Sequence, residues 1–333
     1  MSIPSRRLAT LTGALVLAVA ALTACSSSPS PAPASGSSGA GTPGALSQMT
    51  PLRVATNNAA GALPILAGVQ EGIFEKYNLD VTQETIPDIT LIPAGLGQQW
   101  DFGYSVGPIT INAANSGLPI AAAVGNEYED GDGTPGSEII AAPGITKPSD
   151  LVGKTIGAPT LTGNINLATK AWLRANGVDP SSVNFVAVPT PNMLDQLKGG
   201  LVQAVELQVP FLAAAEADGF TNLGSPIPDA VGVPIAMTWW ATNRDWAAQH
   251  PDVVAAYRAA LGEVVSWIKA NPEQAQKIVA DFTGMDPSLV ATIDLPGLFD
   301  TAVSADDIER WGKLMETEGG FVPNVDYANL VVQ

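Results

Sequence analysis

Apolar and polar positions along the chain fall into short alternating blocks. "PLRVATN" (Pro51–Asn57) is an apolar run ending in polar residues, the pattern of a strand. "LPILAGVQEGIFEKYNL" follows, with Leu63, Leu66, Val69, Gln70 and Phe74 at helical spacing. "DVTQET" then reads as a strand, Ile89 to Gln99 as a helix and "DFGYSV" as a short strand. "GPITINAANSG" is a helix in which Pro108 suits the first turn. "LPIAAAVG" and "SEIIAAP" are further strands. From Pro148 the rhythm repeats through "DLVGKTIGAP", a helix in "TLTGNINLATKAWLRANG" closed by Gly177, "VNFVAVP", a helix through Leu194 and Leu197, and "LVQAVELQVP". From about Asp252 the pattern is helical. Strands alternating with helices of about ten residues predict an α/β fold, with parallel-type sheets covered by helices on both faces.

The N-terminal pattern differs. Arg6 and Arg7 precede an almost wholly apolar run, Leu8 to Leu22, and small residues lead to Cys25. This is the layout of a secretory signal peptide over residues 1–24. The run is shorter than the ~20 residues a membrane-spanning helix needs. Leu22-Thr23-Ala24-Cys25 resembles a bacterial lipobox, in which the cysteine is acylated and becomes the mature N-terminus. The alternative is an incidental cysteine near an ordinary cleavage site. Disulfide and metal roles need partners that a single cysteine lacks, and a nucleophile there would have no base to activate it. Ser5-Arg6-Arg7 hints at twin-arginine export, but the following residues fit general secretion better. The Ser-, Pro-, Gly- and Ala-rich stretch up to residue 50 carries no charge from Ser26 to Met49. Such a composition cannot bury a core and reads as a lipid-anchored linker, residues 25–50.

Composition narrows the partners. The formal charge is −17, and −19 once Arg6 and Arg7 are removed. An acidic surface repels nucleic acid and anionic lipid. It says nothing of the charge inside a small cleft. The stretch from Pro51 to Gln333 is long enough for a large core and two lobes.

Four stretches together resemble one family: "LPILAGVQEGIFEKYNLDVT", "GQQWDFGYSVGPITINAANSGLPIAAA", "SDLVGKTIGAPTLTGNINLATKAWLRANGVDPSSVNFVAVP" and "HPDVVAAYRAALGEVVSWIKANPEQAQKIVADFTG". The family is the solute-binding proteins of ABC importers for nitrate, sulfonates, taurine and thiamine-pyrimidine precursors. The resemblance implies a two-lobed, periplasmic-binding-protein-like fold of type II with a ligand cleft between the lobes. Lobe 1 would take residues 51–143 plus 233–333, and lobe 2 residues 144–232. It also implies a monomer tethered to the outer face of the cytoplasmic membrane through Cys25, serving an ABC permease and ATPase and needing no cofactor or metal. A sensor lipoprotein signalling to a membrane receptor is the alternative.

Strand ends nominate the cleft residues, since ligands in open α/β sheets sit beyond the carboxyl ends of strands. They are Thr56, Asn57 and Asn58; Tyr104 and Ser105; and Thr160, Thr162, Gly163 and Asn164. Trp239 and Trp240 lie on the return to lobe 1, one expected in the core and the other in the cleft. The family pattern breaks in "KGGLVQAVELQVPF", where Glu206 and Gln208 share one strand face. Both are expected to face the cleft, unless Glu206 pairs with Lys154 or Lys170. No arginine or lysine lies in these loops, and Glu206 would repel a simple anion. A neutral, zwitterionic or amine-bearing heterocycle is therefore at least as good a candidate as nitrate or a sulfonate.

Relatives of this family include a pyrimidine-synthesising enzyme branch with a site histidine and clustered cysteines. Here the single histidine, His250, opens a C-terminal helix and reads as a surface or capping residue. "NEYEDGDG" lacks the ligand spacing of a calcium loop. No nucleophile–base set or phosphate loop is present, and a binding role is expected rather than an enzymatic one.

Overall fold

The computed structural model describes residues 42–132 and 135–333. The expected signal peptide, Cys25 and most of the linker lie outside the described residues. Among those described, no helix is long and apolar enough to cross a membrane.

Among the described residues, twelve strands form two five-stranded sheets and one two-stranded sheet. In chain order they are β1 (Thr50–Thr56), β2 (Leu79–Thr85), β3 (Phe102–Val106), β4 (Ile120–Gly125), β5 (Tyr128–Glu129) and β6 (Ser137–Ala141). Then come β7 (Thr155–Ala158), β8 (Asn184–Ala187), β9 (Ala204–Gln208), β10 (Thr221–Asn222), β11 (Ile235–Ala236) and β12 (Thr238–Asn243). The first sheet has the order β2-β1-β3-β12-β4, and the second β8-β7-β9-β6-β10. The two orders correspond strand for strand.

Each sheet has a parallel core. β1 pairs in parallel with β2 and β3, and β7 with β8 and β9. β12 runs antiparallel to β3 and β4, and β6 antiparallel to β9. The two exceptions have one cause. β6 and β12 are the strands by which the chain enters each sheet from the other, so they start where the parallel strands end. The two crossings themselves pair as the antiparallel ribbon β5–β11, with Ile235 opposite Glu129. β6 belongs to the second sheet, so the first crossing lies between Tyr128 and Ser137, ahead of the boundary expected at residue 143.

Local chemistry shapes the first sheet's helices. The expected continuous helix from Leu63 splits into Leu63–Gln70 and Ile73–Lys76, because Gly72 adopts φ 64°. That left-handed conformation suits glycine and ends a helix. The helix expected over Ile89–Gln99 is only a 3-10 turn, Ile89–Leu91, and one α turn, Ile92–Gly95. Beyond it the Trp100 ring packs against Gly95. The edge strand β2 alternates more and less exposed positions, whereas β3 and β4 are buried throughout, as inner and helix-covered strands should be.

The C-terminal helices close the first lobe. Pro251–Ala270 buries Val253, Tyr257, Leu261, Val264 and Ile268, one stripe at helical spacing. Tyr257 stacks on Phe102 of β3 with ring centroids 4.0 Å apart. Burying such side chains stabilises the fold by roughly 1.5–3 kcal/mol each. The helix Ala305–Gly319 starts with a capping box, Ser304 with Asp307. It touches both lobes: Trp311 Nε1 donates to Ala236 O on the hinge ribbon, and Glu318 accepts from Arg174 of the second lobe at 3.0 Å.

Candidate functional site

Six parallel strands end at one place. A cavity of about 60 Å³ lies between the lobes, lined from the first by Asn57, Asn58, Pro87, Ile89, Tyr104 and Val106. The second lobe contributes Thr160, Gly163, Asn164, Asn166, Thr190 and Gln208, among others. These residues follow or end β1, β2, β3, β7, β8 and β9. None of the residues lining the cavity carries a formal charge. Helices Gly107–Asn115, Asn164–Ala175 and Thr190–Lys198 begin at the same level, so their positive dipole ends face the gap.

The first-lobe wall is built over Gly61. A Cβ there would lie 2.7 Å from Tyr104 Cε2, 2.8 Å from Glu127 Oε2 and 2.9 Å from Asn57 Nδ2. Only glycine lets these three groups converge. Tyr104 OH donates to Glu127 Oε2 at 2.8 Å, and Thr238 Oγ1 donates to the same oxygen at 3.0 Å. Thr238 in turn accepts from Glu127 N and Asn126 Nδ2. Burial pushes the Glu127 carboxyl up, and the hydrogen bonds from Tyr104 and Thr238 pull it back. Burial and the neighbouring carboxylate raise the Tyr104 hydroxyl well above its ordinary value. It therefore stays a donor to Glu127.

The second-lobe wall is the start of helix Asn164–Ala175. Asn164 Nδ2 donates to Met237 O at 3.2 Å, linking this helix to the segment between β11 and β12. Asn166 is fully buried, and its Nδ2 donates to Glu206 Oε1 at 2.9 Å. Gln208 Oε1 accepts from Thr190 Oγ1 at 3.3 Å. Two lining amides keep an unpartnered oxygen: Asn57 Oδ1 and Asn166 Oδ1 have no hydrogen bond among the described residues.

The expected residues thus divide. Asn57, Asn58, Tyr104, Thr160, Gly163, Asn164 and Gln208 line one cavity. Thr162 lines an outer groove of about 390 Å³ that shares Thr160 and Pro159 with it. Thr56 lies beneath, fully buried, accepting from Gln83 Nε2. Ser105 is also fully buried and bonds Thr110.

Two expected placements need correction. Trp239 and Trp240 are both fully buried, and neither lines the cavity. β12 sits between β3 and β4 and both its faces are covered. Trp239 donates to Thr110 Oγ1, and Trp240 packs edge-on against Tyr104. Glu206 is buried too, because β9 is a central strand covered on both faces; Asn166 stands between it and the cavity. No ion pair joins it to Lys154 or Lys170 among the described residues. Burial pushes its carboxyl up to about 8, which leaves it protonated at neutral pH. His250 occupies the capping position between helices Arg244–Gln249 and Pro251–Ala270, stacked on Trp246 and bonded to Trp246 O.

Asn166, Thr190 and Glu127 escaped the sequence reading. Asn166 and Thr190 had a visible signal, since each sits in the first turn of a helix that follows a strand end. Glu127 had none, because it reaches the site only through its bonds to Met237 and Thr238, more than a hundred residues away in sequence.

The NMT1/THI5 like family matches residues 60–275. The chain is 28% identical over 244 residues to a protein of Brachyspira hyodysenteriae named as an ABC transporter periplasmic binding protein, a match covering 68% of this chain and 67% of that one. It is 28% identical over 129 residues to the taurine-binding periplasmic protein of Escherichia coli, covering 39% of this chain and 40% of the other. Among solved structures, the alkanesulfonate-binding protein of Xanthomonas axonopodis superposes with a TM-score of 0.69 at 16% identity, over 86% of this chain and 98% of that one. The periplasmic nitrate-binding protein of Synechocystis superposes with 0.70 at 13% identity, over 84% of each.

Proposed function

The chain belongs to the NMT1/THI5-like family, and from that premise we propose that it is the solute-binding component of an ABC importer, capturing a small molecule between its two lobes. The observation that carries the reading is the convergence of strand ends from both sheets on one uncharged polar cavity, with the sheets joined by two paired chain crossings. A ligand held by Asn57 and Tyr104 on one side and by Asn164 and Asn166 on the other binds the closed arrangement better than the open one. Closure about β5–β11 follows from that difference in affinity. The closed form is the one a permease and its ATPase would recognise.

The relatives' names supply sulfonates, taurine and nitrate as first candidates. The helix N-termini at the cavity favour such acceptor groups. The same relatives are binding proteins, which agrees with a non-catalytic role. In this reading residues 1–24 are a signal peptide, Cys25 carries the lipid, and the Ser/Pro/Gly-rich linker holds a monomer off the outer face of the membrane. Cys25→Ala should abolish partitioning into the detergent phase; unchanged partitioning contradicts the anchor.

A thermal-shift screen across sulfonates, nitrate, pyrimidines, amines and small amides tests the central role. At least one solute should raise the melting temperature in a saturable manner, as binding to the folded state requires. No shift with any class contradicts the reading.

A further inference from the structure

The cavity presents two different demands on a ligand. The start of helix Asn164–Ala175 offers backbone N–H groups and a positive dipole end, with no acidic residue in its first turn. It wants an acceptor. Asn57 Oδ1 and Asn166 Oδ1, one on each lobe, want donors. Asn57 is 7% exposed and Asn166 0%, and neither oxygen has a partner among the described residues. Asn57 turns its Nδ2 toward Gly61, beside Tyr104 and Glu127. Asn166 turns its Nδ2 to Glu206 Oε1.

Resting on the solute-binding reading above, we propose that this cleft takes an uncharged amide- or ureide-type solute, with its carbonyl at the start of the helix and its N–H groups on Asn57 and Asn166. Glu206 is then a positioning residue. It touches no ligand; with its proton on Oε2 it accepts from Asn166 Nδ2 through Oε1 and so holds the Asn166 amide by its donor end. The cavity of about 60 Å³ suits a ligand of roughly five heavy atoms.

Nitrate and sulfonates meet only half of these demands. They have acceptors for the helix end and no donor for either asparagine oxygen. Each buried oxygen left facing a lone pair weakens binding about tenfold or more. Glu127, behind the first-lobe wall, adds no attraction for an anion. Two of the three helices at the gap also begin with proline in the first turn, which removes an N–H from each.

Matched pairs of equal shape test this with calorimetry on the full chain. Urea and nitrate are both planar with four heavy atoms; methanesulfonamide and methanesulfonate differ in a single N–H donor group and a charge. The neutral member of each pair should bind at least tenfold more tightly. Asn57→Ala should weaken urea about tenfold and leave nitrate within twofold. Glu206→Leu frees the Asn166 amide to turn, so the preference for urea over nitrate should shrink or reverse; Glu206→Gln keeps an accepting oxygen and should restore it. Should Glu206→Leu fail to fold, Asn57→Ala alone decides.

Nitrate or methanesulfonate binding as tightly as its neutral partner overturns the proposal while leaving the solute-binding role intact. So does an Asn57→Ala variant with unchanged urea affinity. Binding of none of the four probes overturns the proposed class, and the solute-binding role itself falls only if the wider thermal-shift screen is also blank.

Discussion

The Tyr104 hydroxyl donates to Glu127 Oε2 across 2.8 Å, tying the end of β3 to the residue that precedes the hinge strand β5. A cleft contact and the pivot of closure therefore share one hydrogen bond. Tyr104→Phe removes a donor from a carboxyl that burial already strains. Guanidinium unfolding should show a loss of about 1–3 kcal/mol. Unchanged stability would mean that water replaces the hydroxyl without cost.

Glu206 sets a pH dependence of known sign. Its carboxyl is raised to about 8 in the folded protein, against an ordinary value of 4.5. Between those values the folded state holds a proton that the unfolded state has released. The stability linked to Glu206 is therefore full below about pH 4.5, declines as pH rises, and is lost above about 8. A tenfold difference in proton affinity between the two states is worth ~1.4 kcal/mol, so the loss across this window is several kcal/mol. Glu129, raised by burial to about 7, adds a decline of the same sign over a narrower range. In melts from pH 5 to 9, Glu206→Gln should flatten the profile and leave the Glu129 part in place. Parallel profiles for the two proteins would contradict the burial of a carboxyl with no cationic partner among the described residues.

One helix, Ala305–Gly319, grips the second crossing. The Arg310 guanidinium donates to the carbonyls of Val231, Gly232 and Pro234, while Asp307 Oδ1 accepts from Ala236 N. Arg310→Ala leaves three carbonyls without that donor. Amide exchange over residues 231–236 should accelerate by tenfold or more, with a stability loss of about 1–3 kcal/mol. Exchange unchanged in that segment would show that the crossing is held by β5–β11 pairing alone.

Much of this arrangement was legible in the chain. The short apolar blocks and the residues after them located the cleft, because a parallel strand's end and the following helix start are adjacent in sequence. Asn57, Tyr104 and Asn164 were found that way. The direction of β6 and β12 was not legible, since it follows from where the chain crosses between lobes and leaves no local signal. Glu206 and one of the two tryptophans were misplaced for a related reason. Alternation tells which residues share a strand face, but whether a face meets solvent or another layer depends on strands and helices far away in sequence. For β9 and β12 both faces are covered.

Hydrogen–deuterium exchange with the solute that raises the melting temperature most tests interlobe capture most directly. Protection should appear at the loops after β1 and β3 in one lobe, at the starts of helices Asn164–Ala175 and Thr190–Lys198 in the other, and along β5–β11. Protection confined to one lobe, or centred on the separate groove around Arg258 and Ala302, would contradict capture between the lobes.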